Sequence, residues 1–227
     1  MSSLCNEHGK VVVVEDDLLL HPLTLEWFNL GLDTYENVEQ VMQIGAYQYN
    51  IPEYRSLKKG VFQEFATTWG WATWKRAWDK FDPKATGWES VRENPEIAAR
   101  FNSNDAYPFS EMLVRQMRGE IDSWGIRWSW SVFKAQGLTL MPPQTLCINT
   151  GLDVSGTHNS VGFLKKFVSG PQPTRWRHDF LPALPERVGV SDPEIAAFRG
   201  GLKRTNAMRN LKIKTALARL GFGRFAD

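Results

Sequence analysis

Val11-Val12-Val13-Val14-Glu15-Asp16-Asp17 is the stretch whose reading decides the fold. Four consecutive β-branched side chains suit a strand buried on both faces, as in a parallel sheet. Three acids at its carboxyl end put mutually repelling charge where open α/β sheets bind ligands. Oxygen ligands of this kind suit Mg2+ or Mn2+, which bridge one or two carboxylates to a substrate phosphate. A second reading stays open. Leu18-Leu19-Leu20 and Pro22 follow at once, and acids also interact well with the start of a helix.

Working outward, the spacing of Leu25, Phe28 and Leu32 predicts a short amphipathic helix over 24–32. Strands are expected at 41–49 and 61–68. A helix is expected over 71–81, with Trp71, Trp74 and Trp78 on one stripe. Residues 82–108 read as irregular, with at most one short helix near Ile97. Helical patterns resume at 110–118 and 122–136, the second ending at Gly137 as a C-cap. Short strands follow at 138–141 and 145–149, then a Gly/Ser/Thr/Asn loop at 151–160. These elements make an α/β domain with a mixed sheet flanked by helices over 1–168. Residues 169–227 form a Pro-rich linker and a basic helical tail.

Composition narrows the function classes. A formal charge of +2 over 227 residues gives no reason to expect a nucleic-acid partner. Cys5 and Cys147 make neither a metal spacing nor a disulfide framework, which suits a reducing cytoplasm. Segment 11–20 is interrupted by three acids and cannot span a membrane. Residues 1–10 lack the apolar stretch of a signal peptide. The tail carries Lys203, Arg204, Arg209, Lys212, Lys214, Arg219 and Arg224 among Leu211, Ile213, Leu217, Leu220 and Phe222. That pattern fits peripheral contact with the inner face of the plasma membrane, or an ordinary solvated helix.

Eight of the ten tryptophans fall between Trp69 and Trp130, so this region decides how aromatic surface is used. Flat indole faces suit sugar rings, whose C–H patches pack on them. Trp71, Trp74 and Trp78 read as a core stripe or as such a wall. Trp69, ahead of the expected helix, reads as a ligand contact. Asp122 sits where an N-cap belongs, and a carboxylate walled by tryptophans also suits a general base; the two readings are compatible. Arg127 could counter phosphate charge or pair with an acid. His158, in the 151–160 loop, reads as a metal or diphosphate contact or as a solvated side chain.

In this order Val-Val-Val-Val-Glu-Asp-Asp-Leu, Gly-Trp-Ala-Thr-Trp, Ile-Asp-Ser-Trp and Pro-Pro-Gln…Gly-Leu-Asp-Val-Ser-Gly-Thr-His resemble GT-A-fold nucleotide-sugar glycosyltransferases. The likeness is to the bacterial surface-polysaccharide type and, more distantly, to N-acetylglucosaminyltransferase I of the Golgi. It covers residues 4–160. The resemblance implies a partial GT-A, Rossmann-like fold and a divalent metal, Mn2+ or Mg2+. It makes Asp17 the direct metal ligand and puts Asp16 and Glu15 near the donor's ribose or sugar. His158 becomes a late contact to metal or phosphate. The donor would be a nucleotide sugar, UDP-linked by family habit, and the acceptor a saccharide hydroxyl, with inverting transfer. In the Golgi enzyme the base is an aspartate immediately before a tryptophan. Here Ser123 holds that place and Asp122 stands one residue earlier, so Glu111 and Asp105 remain alternatives.

GT-A enzymes place several strands and helices that bind the nucleotide base ahead of the acidic motif, whereas ten residues precede the strand here. The chain thus resembles the C-terminal two-thirds of such an enzyme. An exposed sheet edge, open to association, is expected. A catalytically inactive fragment that binds a saccharide or a partner is the competing reading.

Overall fold

The computed structural model describes residues 1–150, 176 and 178–219. Its strands are β1 (Lys10–Val13), β2 (Leu18–Leu20), β3 (Val41–Gly45), β4 (Val61–Gln63), β5 (Trp71–Trp74), β6 (Leu138–Met141) and β7 (Cys147–Asn149). Its helices are α1 (Ser2–His8), α2 (Thr24–Thr34), α3 (Lys75–Trp78), α4 (Ser90–Glu93), α5 (Pro95–Phe101), α6 (Phe109–Met117), α7 (Trp124–Lys134) and α8 (Asp192–Arg219). The protein is α/β. A mixed five-stranded sheet, in the order β1-β5-β3-β6-β4, is flanked by helices, and β2 pairs with β7 in a small second sheet.

β3 and β6 are parallel, while β5 runs antiparallel to both β1 and β3. β1, β3 and β6 therefore point the same way and end at one end of the sheet. On one face, Trp27, Phe28 and Leu32 of α2 pack on Ile44, Ala72, Trp74 and Leu140. On the other, Trp128 and Val132 of α7 join Trp78, Met42 and Trp71. The register of β3 shifts between Val41 and Gln43, so Met42 and Gln43 both turn toward α7. There Gln43 accepts the Trp128 indole N–H at 2.6 Å and donates to the Thr67 carbonyl at 2.5 Å. A buried amide so deep in the sheet is tolerable because both ends are bonded.

The structure corrects the expected environment of β1. It is an edge strand, antiparallel to its single neighbour, with Val12 38% and Val14 42% exposed. The Lys75 N–H donates to the Gly9 carbonyl at 2.7 Å, which fixes the alternation of the ladder. Odd-numbered residues turn their backbone groups to β5. Lys10, Val12 and Val14 turn theirs outward, and no strand among the described residues pairs with them. At the opposite edge the chain around Ala183 covers the start of β4, through Gly60 N–H to Ala183 O and Ala183 N–H to Lys58 O.

The expected helix over 71–81 is also corrected. Trp71-Ala72-Thr73-Trp74 is a fully buried strand, and only Lys75–Trp78 is helical. In a strand, residues three apart face opposite sides, so Trp71 and Trp74 enter different cores. The region 82–108 holds two short helices, α4 and α5, rather than one. Phe101 and Ala106 from it build a third core with Phe109, Ile126 and Trp130. Phe198 and Leu202 of α8 are buried in that same core. No described helix is long and apolar enough to cross a membrane. The basic side chains from Arg209 onward, on which the membrane reading rests, lie outside the described residues.

Candidate active site

Because β1, β3 and β6 end together, Glu15–Asp17, the turn Ala46–Tyr49 and the turn Pro142–Thr145 gather at one end of the sheet. β5 begins at that end, which adds Trp69 and Gly70. The β2–β7 pair continues beyond it, and the Asp17 carbonyl accepts from both the N–H and hydroxyl of Thr150 at 2.8 Å. Gly70 is needed for the junction. Its φ is +65°, and a Cβ there would lie 3.3 Å from the Ala46 Cβ and 3.8 Å from Leu18 Cδ1. This close approach holds Trp69 next to the residue that follows the three acids. Cys147 reinforces it by donating its thiol hydrogen to the Trp69 carbonyl at 3.1 Å.

Charge at this end is uncompensated. Among the described residues, none of Glu15, Asp16 and Asp17 makes an ion pair with a lysine, arginine or histidine. Burial raises the Glu15 carboxyl above the usual range, and the neighbouring Asp17 and Asp16 raise it further. Among the described residues, the buried Asp17 Oδ1 has no hydrogen-bond partner, and neither has the buried Asn149 Oδ1. Burial pushes the Cys147 thiol up to about 12, with a smaller contribution from Glu15. Cys147 is therefore a neutral donor, not a nucleophile. Hard oxygen atoms without a counter-charge suit a divalent cation. Among the described residues, no three His, Cys, Asp or Glu side chains form a metal cage by themselves.

Trp69 is half-buried and meets Tyr47 edge-on with ring centroids 4.7 Å apart; Tyr47 meets Tyr49 at 5.1 Å. Trp71 is fully buried among Trp78, Trp124 and Trp128, so it presents no surface to a sugar. Asp122 is exposed and lies just outside α7. The N-cap is Ser123, whose own side chain makes no cap bond and whose N–H is taken by the Gln116 carbonyl oxygen Oε1. Gly125 lies so close to Thr68 that a Cβ would come within 2.7 Å of Thr68 Cγ2. The start of α7 is thus docked against Thr68, the neighbour of Trp69 in the chain.

Arg127 donates to the Pro83 carbonyl at 3.2 Å and keeps its Nε buried without a partner. It is directed at the 82–86 turn, not at the acids. Glu111 is exposed on α6. Asp105 is exposed in a left-handed stretch with φ +57°. His158 lies outside the described residues. Tyr47, Cys147 and Asn149 were not legible as site residues from sequence. The one signal was that Ala46–Tyr49 directly follows β3, where carboxyl-end turns carry ligands.

Comparison with protein-family models and with curated proteins returns no match for this chain.

Proposed function

We propose that the chain is a metal-dependent glycosyltransferase of GT-A type, moving a sugar from a nucleotide-sugar donor to a saccharide hydroxyl. The observation that carries this reading is the cluster Glu15–Asp17, which ends β1 with a buried, unbonded Asp17 oxygen and no cationic partner among the described residues. Such an arrangement weakens the fold unless a ligand supplies positive charge. Asp17, with Glu15 or Asp16, would hold Mn2+ or Mg2+ together with substrate oxygens and water. The cation would supply charge neutralisation for the donor's diphosphate.

The chain's own residues do the rest. Trp69 packs on a sugar face. Asp122, free of any capping bond, accepts the proton of the attacking hydroxyl. This reading assigns no binding role to Trp71, which is buried among other indoles, or to Arg127, which donates to the Pro83 carbonyl. The competing reading, a saccharide- or partner-binding fragment without chemistry, is favoured by the open edge of β1.

Hydrolysis of UDP-sugars with Mn2+ separates the two. The transferase reading expects turnover abolished by EDTA and reduced at least about 100-fold in Asp17→Ala and in Asp122→Asn. Turnover indifferent to EDTA, or unchanged in Asp17→Ala, would reject it.

A further inference from the structure

Among the described residues, the edge of the five-stranded sheet formed by β1 is uncovered. Beside β4 the chain around Ala183 bonds to Lys58 and Gly60, whereas no strand pairs with Lys10, Val12 and Val14. Their N–H and C=O groups form an outward row that an incoming strand extends by backbone hydrogen bonds.

The side chains along this edge alternate without a break from the strand into the acids. Val12, Val14 and Asp16 are exposed, while Val11, Val13 and Glu15 are half-buried. Lys10, on the face of Val12 and Val14, reaches Asp33 of α2. Leu30 lies one turn before Asp33 on α2 and is exposed as well, so this face carries an apolar strip of Val12, Val14 and Leu30. A cation, Lys10, bounds the strip at one end. At the other stands Asp16, which pairs with no cation among the described residues.

We propose that the chain pairs with a second copy of itself through β1, antiparallel, joining the two sheets into one. The charge pattern selects this occupant and this direction. With the two-fold axis at Val13, Val12 stands opposite Val14 of the second copy, and Lys10 opposite Asp16 of the second copy. Val12 and Val14 then exchange backbone hydrogen bonds, because both turn those groups outward. Opposite charges meet at each end of the contact, whereas a parallel approach would set Lys10 on Lys10 and acids on acids. The contact is isologous, so it closes as a dimer. Glu15 and Asp17 are half-buried and take no part in it, so the pairing does not rest on the transferase reading.

Analytical ultracentrifugation of the full chain in EDTA, with no donor present, tests it. At tens of micromolar chain and low salt the protein is expected at twice the 25.9 kDa of one copy, with the dimer weakening as salt rises. Val12→Pro should leave a monomer, since proline removes an outward N–H that the β5 ladder does not use; circular dichroism checks that the fold is kept. Lys10→Glu, on an exposed side chain, should weaken pairing about ten-fold by setting acid against acid. Adding Asp16→Lys to Lys10→Glu exchanges the charges and should bring the dimer back. A monomer in the unaltered chain overturns the proposal, including one that takes up a strand of another protein instead. So does a dimer indifferent to Lys10→Glu, or one that the exchanged charges fail to restore. Metal-independent donor hydrolysis by an intact dimer would sink the transferase reading alone.

Discussion

At the amino ends of β1, β3 and β6 the charges are matched, and at the carboxyl ends they are not. The Arg76 guanidinium donates to the carbonyls of Glu36, Val41 and Tyr35 at 2.6, 3.0 and 2.8 Å and stacks on Trp74 at 4.3 Å. Lys10 pairs with Asp33 at 2.6 Å, and Lys80 with Glu39 at 3.4 Å. At the other end, among the described residues, Asp17 Oδ1, Asn149 Oδ1 and His178 Nε2 are buried and unbonded, and the three acids pair with no cation. Trp71 Nε1 and Thr139 Oγ1 are orphaned within the sheet, so the division concerns charge more than every polar atom. One end spends its polar groups within the fold, and the other leaves polar valence unspent among the described residues, as the proposed function would need.

The largest effect expected from breaking this contrast is at Arg76. Arg76→Ala removes a donor from three backbone carbonyls, of which Tyr35 keeps the Val38 N–H, and should destabilise by about 3 kcal/mol. Thermal denaturation should then show Tm falling by about 6–12 °C. Asp17→Asn, at the opposite end, should abolish Mn2+-dependent donor turnover while shifting Tm by no more than about 1 °C. If both variants lose Tm equally, the two ends are not different in kind.

Trp128→Phe probes the middle of the sheet. Removing the indole N–H strands the Gln43 Oε1 in the core, which should cost about 1–3 kcal/mol in urea titration.

His21 sharpens the comparison through pH. Its Nδ1 accepts the Leu23 N–H at 3.1 Å and its Nε2 donates to the His178 carbonyl at 3.2 Å, so the ring is neutral. Burial lowers its pKa below the usual histidine value. A lowered histidine contributes stability that is complete above about pH 6.5 and lost as pH falls through the folded value. Between pH 7.5 and 5.5 the Tm should drop by a few degrees, and His21→Asn should flatten that slope.

Glu15 has the opposite sign. Its carboxyl is raised, so the folded state favours the protonated form and the charged one strains it. Without metal, Glu15→Gln should raise Tm at pH 7 by about 1 °C, the smallest of these effects.

Much of the fold was legible because burial periodicity was strong. Phe28 and Leu32 marked α2, and Leu138–Met141 and 145–149 marked the closing strands. Leu25, expected on the same buried stripe, is 58% exposed, and Trp27 fills the core instead. Trp71, Trp74 and Trp78 misled because spacings of three and four fit a helix, yet the first two are indoles on a strand. Gly137 was read as a left-handed cap. Gln136 takes the left-handed conformation, with φ +51°, and Gly137 is there because Met42 leaves no room for a Cβ. Four valines were read as buried on both faces because composition reports hydrophobicity and not position in a sheet. Of the residues gathered at the carboxyl end of the sheet, the acids and Trp69 could be named in advance. Tyr47 and Cys147 could not, since chain segments far apart in sequence meet there.

The bare rim of β1 has a practical consequence. A run of valines with outward-facing amides is a template for stacking one molecule on the next into fibrils. Lys10 and the three acids flank that run as gatekeepers, and like charge on approaching copies keeps them apart. Neutralising Asp16 and Asp17 to probe catalysis would also remove that repulsion. Such variants should cloud sooner at high protein concentration and in strong salt, and they are best kept dilute.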